Sequence, residues 1–120
     1  MNYIIENPEN CSIITSKVDK LDATNATELK SELVQLNKNG VNNIILDLAN
    51  TKYCDSSGLS SILIGNRLCK DSSGYFVLCG LQPTVAKLIS IAQLDRVLMI
   101  EESRDAAVDK LAALNVKIGS

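Results

Sequence analysis

Two short runs, Asn43-Ile44-Ile45-Leu46-Asp47-Leu48 and Tyr75-Phe76-Val77-Leu78-Cys79, most constrain how this chain can fold. Four of the six residues in the first run are aliphatic, too apolar a mix for a strand with one wet face. A strand covered on both faces reads this way, and such strands belong to parallel sheets flanked by helices. Between the two runs, Leu59, Ile62, Leu63, Ile64 and Leu68 recur in a helical pattern. Strand, crossover helix and second parallel strand form the smallest unit consistent with that order.

The alternation extends both ways. Tyr3-Ile4-Ile5 and Cys11-Ser12-Ile13-Ile14-Thr15, separated by the turn-prone Asn7-Pro8-Glu9-Asn10, predict an opening β-hairpin. A polar loop from Ser16 to Asp22 follows. A helix then starts near Thr24 or Asn25, where Asn25 with Glu28 has the spacing of a capping box. Ala26, Leu29, Leu33 and Leu36 make its apolar stripe, and Asn39-Gly40 ends it. After Cys79, Gly80 and Pro83 introduce a helix bearing Val85, Leu88 and Ile89. Val97-Leu98-Met99-Ile100 is a last strand, and Ser103 caps a final helix carrying Ala107, Leu111 and Leu114. The expected fold class is α/β: one domain over residues 1–120, a mixed, mostly parallel sheet of five strands, and four helices.

A chain of 120 residues with 46% hydrophobic content can build a full core, burying roughly two-thirds of the surface its unfolded form exposes. The formal charge is −2, no Lys/Arg stripe occurs, and the aromatics Tyr3, Tyr53, Tyr75 and Phe76 sit in or beside strand-like runs. That composition argues against nucleic acid as a partner. No apolar run approaches the ~20 residues of a membrane span, and Met1–Glu6 lacks the character of a signal peptide. A cytoplasmic location without direct membrane insertion is expected. Cys11, Cys54, Cys69 and Cys79 lack the paired spacing of zinc sites and are expected to be reduced thiols. Oxidation of Cys54 would perturb the turn that follows it.

There is no histidine, so neither a Ser-His-Asp triad nor a histidine-ligated metal can be built. Neither a GxxxxGK loop nor a GxGxxG fingerprint is present. A Ser–Lys pair of Ser56 and Lys52 is the remaining catalytic arrangement, but a strand segment and a turn separate the two. Asp47, at the end of a buried strand, invites comparison with a receiver-domain phosphoacceptor. A receiver also needs an acidic pair after its first strand, and Ser12–Ser16 carries no carboxylate. The expectation is a protein that is not an enzyme, with no catalytic residues, no metal and no cofactor.

The segment Asp55-Ser56-Ser57-Gly58-Leu59 stands where a buried strand gives way to a helix. The plain reading is a hydroxyl N-cap and a tight turn. A helix start also exposes backbone N–H groups that the helix cannot satisfy and favours negative charge. A phosphate added there would alter the surface without unfolding the domain. Asp55 has a structural reading as the capping carboxylate, Asp22 one as a cap of the first helix, and Gly58 one as a site of close backbone approach, by this domain or by a partner.

The opening hairpin, Leu21-Asp22 before the first helix, the strand Asn43–Leu48 and Asp55-Ser56-Ser57-Gly58-Leu59 opening the second helix together resemble the STAS domain family. The match is nearest its anti-sigma factor antagonist branch. The resemblance covers nearly the whole chain. It implies a binding module that engages an anti-sigma factor serine kinase and so regulates transcription, with a serine phosphatase reversing the modification. It implies Ser56 as phosphoacceptor, and Asp22, Thr24, Asp55, Ser57, Gly58 and Leu59 at the partner-binding edge, Ser57 being a first-turn residue and not a second acceptor. A monomer or weak dimer is expected. Many family members place glycine and glutamate before the Leu-Asp, where this chain has Asp19-Lys20. The family also implies an alternative, an adaptor subunit of a lipid-transport ABC complex or of a stress-sensing assembly.

Overall fold

The computed structural model describes residues 1–114, 116 and 117. Five strands form the main sheet: β1 (Tyr3–Glu6), β2 (Ser12–Ser16), β4 (Ile44–Asp47), β6 (Phe76–Cys79) and β7 (Met99–Glu101), in the order β1-β2-β4-β6-β7. β1 runs antiparallel to β2, as the hairpin requires, and the other pairings are parallel. Helices α1 (Ala26–Lys38), α2 (Ser56–Asp71), α3 (Pro83–Ile91) and α4 (Arg104–Ala113) follow strands in turn. The expected five-stranded α/β domain with four helices and an opening hairpin is the observed one.

Pleating divides the apolar runs between two cores. From β4, Ile44 and Leu46 face one side while Ile45 faces the other; from β6, Phe76 and Leu78 oppose Val77 and Cys79. The first core is closed by Leu29 and Leu33 of α1, Ile62 and Cys69 of α2, and Val85 and Ile89 of α3. The second is closed by Ala107 and Leu111 of α4. Ile44, Ile45 and Leu46 are completely buried, each such side chain contributing about 1.5–3 kcal/mol. Two-sided coverage is therefore why these runs contain so little polar sequence.

Two elements lie where a loop and a short connection were expected. Lys20–Leu21 (β3) pairs in parallel with Tyr53–Cys54 (β5), Lys20 against Tyr53 and Leu21 against Cys54. Ser16 belongs to β2 and not to the following loop. A 3-10 turn over Leu94–Arg96 delays the last strand, so Val97 and Leu98 precede β7. Val97 is exposed in consequence.

Helix ends differ in how they are made. Ser103 caps α4 as expected, its hydroxyl accepting from the Ala106 amide at 3.1 Å. Gly40 ends α1 with φ +89°, a conformation glycine adopts without steric cost. The capping box at α1 is not formed. Asn25 occupies the N-cap position but makes no side-chain cap bond, and the Glu28 carboxylate instead accepts from the Asn2 side-chain amide at 2.9 Å.

Candidate functional site

The Asp55-Ser56 step sits at the C-terminal end of the parallel strands, held there by the β3–β5 pair. The Asp19 carbonyl accepts from the Lys52 and Tyr53 amides at 2.8 and 3.2 Å, and the Leu21 carbonyl accepts from the Asp55 amide at 3.1 Å. Beneath this pair, the buried Thr51 hydroxyl donates to the Val18 carbonyl at 2.8 Å and lies 2.8 Å from the Ser16 hydroxyl. Two loops far apart in sequence are thus joined into one edge.

The cap of α2 is a carboxylate and not a hydroxyl: Asp55 Oδ1 accepts from the Gly58 amide at 3.0 Å. Ser56 is left as the first helical residue, with its side chain free of capping duty and exposed. Ser57 is half-buried, and Leu59 is half-buried against the first core. Gly58 is buried, and a β-carbon there would stand 2.4 Å from the Leu21 carbonyl oxygen. The close approach that this glycine permits is made by the domain's own backbone, which takes Gly58 off the surface a partner could touch.

On the facing loop, Asp22 Oδ1 accepts from the Thr24 hydroxyl at 2.6 Å and from the Thr24 amide at 3.0 Å. These bonds, the hydroxyl first, hold the Asp22 carboxyl below its ordinary value. The carboxylate therefore organises its own loop and does not cap α1 with its side chain; its carbonyl oxygen accepts from the Ala26 amide at 2.8 Å. Thr24 is exposed and Asp22 half-exposed. The buried Ser61 hydroxyl of α2 donates to the Ala26 carbonyl at 2.8 Å, tying the starts of α1 and α2 together.

Asp55 and Ser56 form a rim between two concavities. One, of about 410 Å³, lies between α1 and α2 and is lined by Ser56, Ser57, Ser60, Ala23, Thr27 and Lys30 among others. The other, of about 680 Å³, is lined by Lys20, Asp22, Lys52, Tyr53, Asp55 and Thr84. Lys52 and Ser56 open onto different sides of the rim, and the Lys52 ammonium lies 3.7 Å from the Asp19 carboxylate, so the Ser–Lys pair is not assembled. A larger concavity of about 790 Å³ lies at the opposite end of the sheet, between the β1–β2 and α1–β4 turns, remote from Ser56.

Lys20, Tyr53 and Thr84 are at this edge and were not legible beforehand. A two-residue strand shows no periodicity, so nothing in the sequence signalled that Tyr53 would be an exposed aromatic beside Asp55. Cys54 lies under the rim, 1% exposed. Burial, and after it the Asp55 charge, pushes its thiol up to about 12. A thiol so protonated and enclosed is a poor target for the oxidation expected to disturb the turn. Among the described residues, no helix is long and apolar enough to cross a membrane.

The family model of the STAS domain matches residues 2–107. BtrV of Bordetella bronchiseptica, named as a candidate anti-sigma factor antagonist, is 30% identical over 87 residues, 72% of this chain and 75% of its own. An anti-sigma F factor antagonist of Paenibacillus polymyxa is 29% identical over 72 residues, 60% of this chain and 62% of its own. A Thermotoga maritima crystal structure, described as a candidate anti-sigma factor antagonist, aligns with a TM-score of 0.81 at 23% identity. That alignment covers 90% of this chain and 92% of the other.

Proposed function

The chain belongs to the STAS domain family, and from that membership we propose that it acts as an anti-sigma factor antagonist. In this reading it is a binding module without catalytic residues or cofactor. It holds an anti-sigma factor serine kinase while Ser56 is unmodified, and lets it go once that kinase has phosphorylated Ser56. A serine phosphatase restores the binding form. The observation that carries the reading is the placement of Ser56: exposed, first in α2, and relieved of capping by Asp55. The two relatives named for the same antagonism support it.

The physics of the switch follows from that placement. A phosphate adds about −1.5 to −2 charges beside Asp55, at a helix end whose unsatisfied N–H groups favour an anion. The fold keeps its geometry while the surface gains negative charge. A partner carboxylate ~4 Å from the phosphate is repelled by about 4 kcal/mol per charge pair at an effective dielectric near 20, roughly three decades in affinity. Asp22, Thr24, Asp55, Ser57 and Leu59 frame the contact, with Gly58 beneath it setting the spacing of the two loops.

The test is incubation with ATP and the cognate anti-sigma factor serine kinase, followed by mass spectrometry of the intact chain and its peptides. One phosphate on Ser56, with release of the kinase, is expected. A chain that binds the kinase but gains no phosphate on Ser56 refutes the switch. Co-purification with a transporter ATPase, unaffected by Ser56→Asp, refutes the antagonist reading in favour of an adaptor.

A further inference from the structure

We propose that Asn25 is a positioning residue for the partner-binding edge, holding the Asp22–Thr24 loop in its docking shape; the inference rests on the reading above. By sequence Asn25 is a helix cap, yet its side chain makes no bond to α1. Its Nδ2 donates to the Lys20 carbonyl at 2.8 Å, and its Oδ1 accepts from the Asp22 amide at 3.0 Å. One planar amide therefore bridges the two ends of the Lys20-Leu21-Asp22 segment, using a donor and an acceptor together. Its main chain completes the hold: the Asn25 amide donates to the Asp22 carbonyl at 3.1 Å, and the Asn25 carbonyl accepts from the hydroxyl of Tyr3 at 3.0 Å. Leu21, the middle residue of the bridged segment, is the one whose carbonyl accepts from the Asp55 amide and lies against Gly58. The staple thus fixes the Asp22 carboxylate relative to Ser56 through Leu21.

The chemistry separates this role from capping. Serine is as good an N-cap as asparagine, but its single hydroxyl is too short to span Lys20 and Asp22. If Asn25 served only as a cap, Asn25→Ser would be silent and Asn25→Ala harmful. As a staple, both variants fail alike. The first arm needs no partner: amide hydrogen exchange of the full chain. Loss of the Asn25 acceptor is expected to speed exchange at the Asp22 amide by about tenfold in both variants, while the Asp55 amide, held by Leu21, is unchanged. Unaltered exchange at Asp22, or an equal rise at Asp22 and Asp55, overturns the proposal.

The second arm uses the kinase assay of the preceding section. Asn25→Ser is expected to raise the KM for this protein as substrate by about tenfold with kcat retained. The Ser56 acceptor itself is intact, and only its docking frame is loosened. Faster Asp22 exchange with an unchanged KM also overturns the proposal, because the staple then serves the loop and not docking. Failure of the wild-type chain to be phosphorylated sinks the functional reading instead, and the exchange arm still decides whether Asn25 holds the loop.

Discussion

The Leu21 carbonyl oxygen lies so close to Gly58 that a β-carbon added to the glycine would meet it at 2.4 Å, with Cys54 Sγ at 2.6 Å. The nearest of these obstructions is backbone, so it cannot swing aside as a side chain would. Alanine is the better helix former by ~1 kcal/mol, yet Gly58→Ala is expected to lower stability by a net of about 1–3 kcal/mol through overpacking. Urea denaturation checks the sign. A stabilised variant would mean that the Leu21 loop yields and that the two loops are not rigidly joined.

Asp55 reaches Gly58 from the other direction. Its carboxylate accepts the Gly58 amide, so Asp55→Ala removes a cap worth about 1 kcal/mol, or roughly 4 °C in Tm. Asp55→Asn keeps an oxygen in the same place and is expected to retain most of that stability. Thermal unfolding of the pair separates the capping bond from the charge, since only the alanine variant loses the bond.

How far the fold could be read in advance depended on how local its causes are. Ile44–Leu46 and Phe76–Cys79 announce two-sided burial by composition alone, and Ser103 caps α4 through a bond to a residue three positions on. Asn25 and Glu28 have equally good local spacing, but neither side chain turns to the helix: Asn25 reaches back to Lys20 and Asp22 in the preceding segment, and Glu28 is claimed by Asn2, distant in sequence. The β3–β5 pair was illegible for the opposite reason. Lys20-Leu21 and Tyr53-Cys54 are too short to show a period, and only folding brings them together. At the site, the Asp-Ser step could be read as a helix start. The division of labour, with Asp55 as the cap and Ser56 left exposed, depends on side-chain direction that spacing does not encode.

That division predicts how Ser56 variants behave. Ser56→Asp places a charge where the helix dipole favours it by about 0.5 kcal/mol and where Asp55 opposes it, so Tm is expected to move by less than about 2 °C. Binding to the serine kinase is expected to fall by about two to three decades. Ser56→Ala is expected to keep binding and to abolish release on addition of ATP. Calorimetry and titration of the same samples decide: a Ser56→Asp chain that unfolds early would show that the serine is structural.

Asp22 and Thr24 supply a pH-dependent element on the facing loop. The Thr24 hydroxyl and then its amide hold the Asp22 carboxyl below its ordinary 3.8. A lowered folded value means that this order is present above the ordinary carboxylate range and is lost as pH falls through the folded value. Thr24→Val removes the hydroxyl and leaves the amide, and is expected to move the Asp22 titration part of the way back towards 3.8. Carbon-detected NMR titration of the Asp22 carboxyl measures the shift, and an unchanged titration would show that the 2.6 Å contact is not a bond in solution.

The four cysteines predict the opposite end of the pH range. Each is buried, and burial pushes Cys11 up to about 11 and Cys54, Cys69 and Cys79 up to about 12, against an ordinary 9.0. In the unfolded chain these thiols ionise near 9.0, so above that pH the unfolded state binds fewer protons than the native one. Stability contributed by the protonated thiols is therefore complete below 9.0 and drains away as pH rises towards 11 to 12. Urea midpoints measured from pH 8 to 11 should hold level and then fall, and replacing Cys69 by alanine should flatten the fall while costing stability at pH 8 through the cavity it leaves. A thiol reagent at pH 8 should find all four unreactive in the native chain and reactive in guanidinium. Rapid labelling of Cys54 in the native state would instead show that the rim above it opens, and that the Ser56 edge is not the rigid platform described.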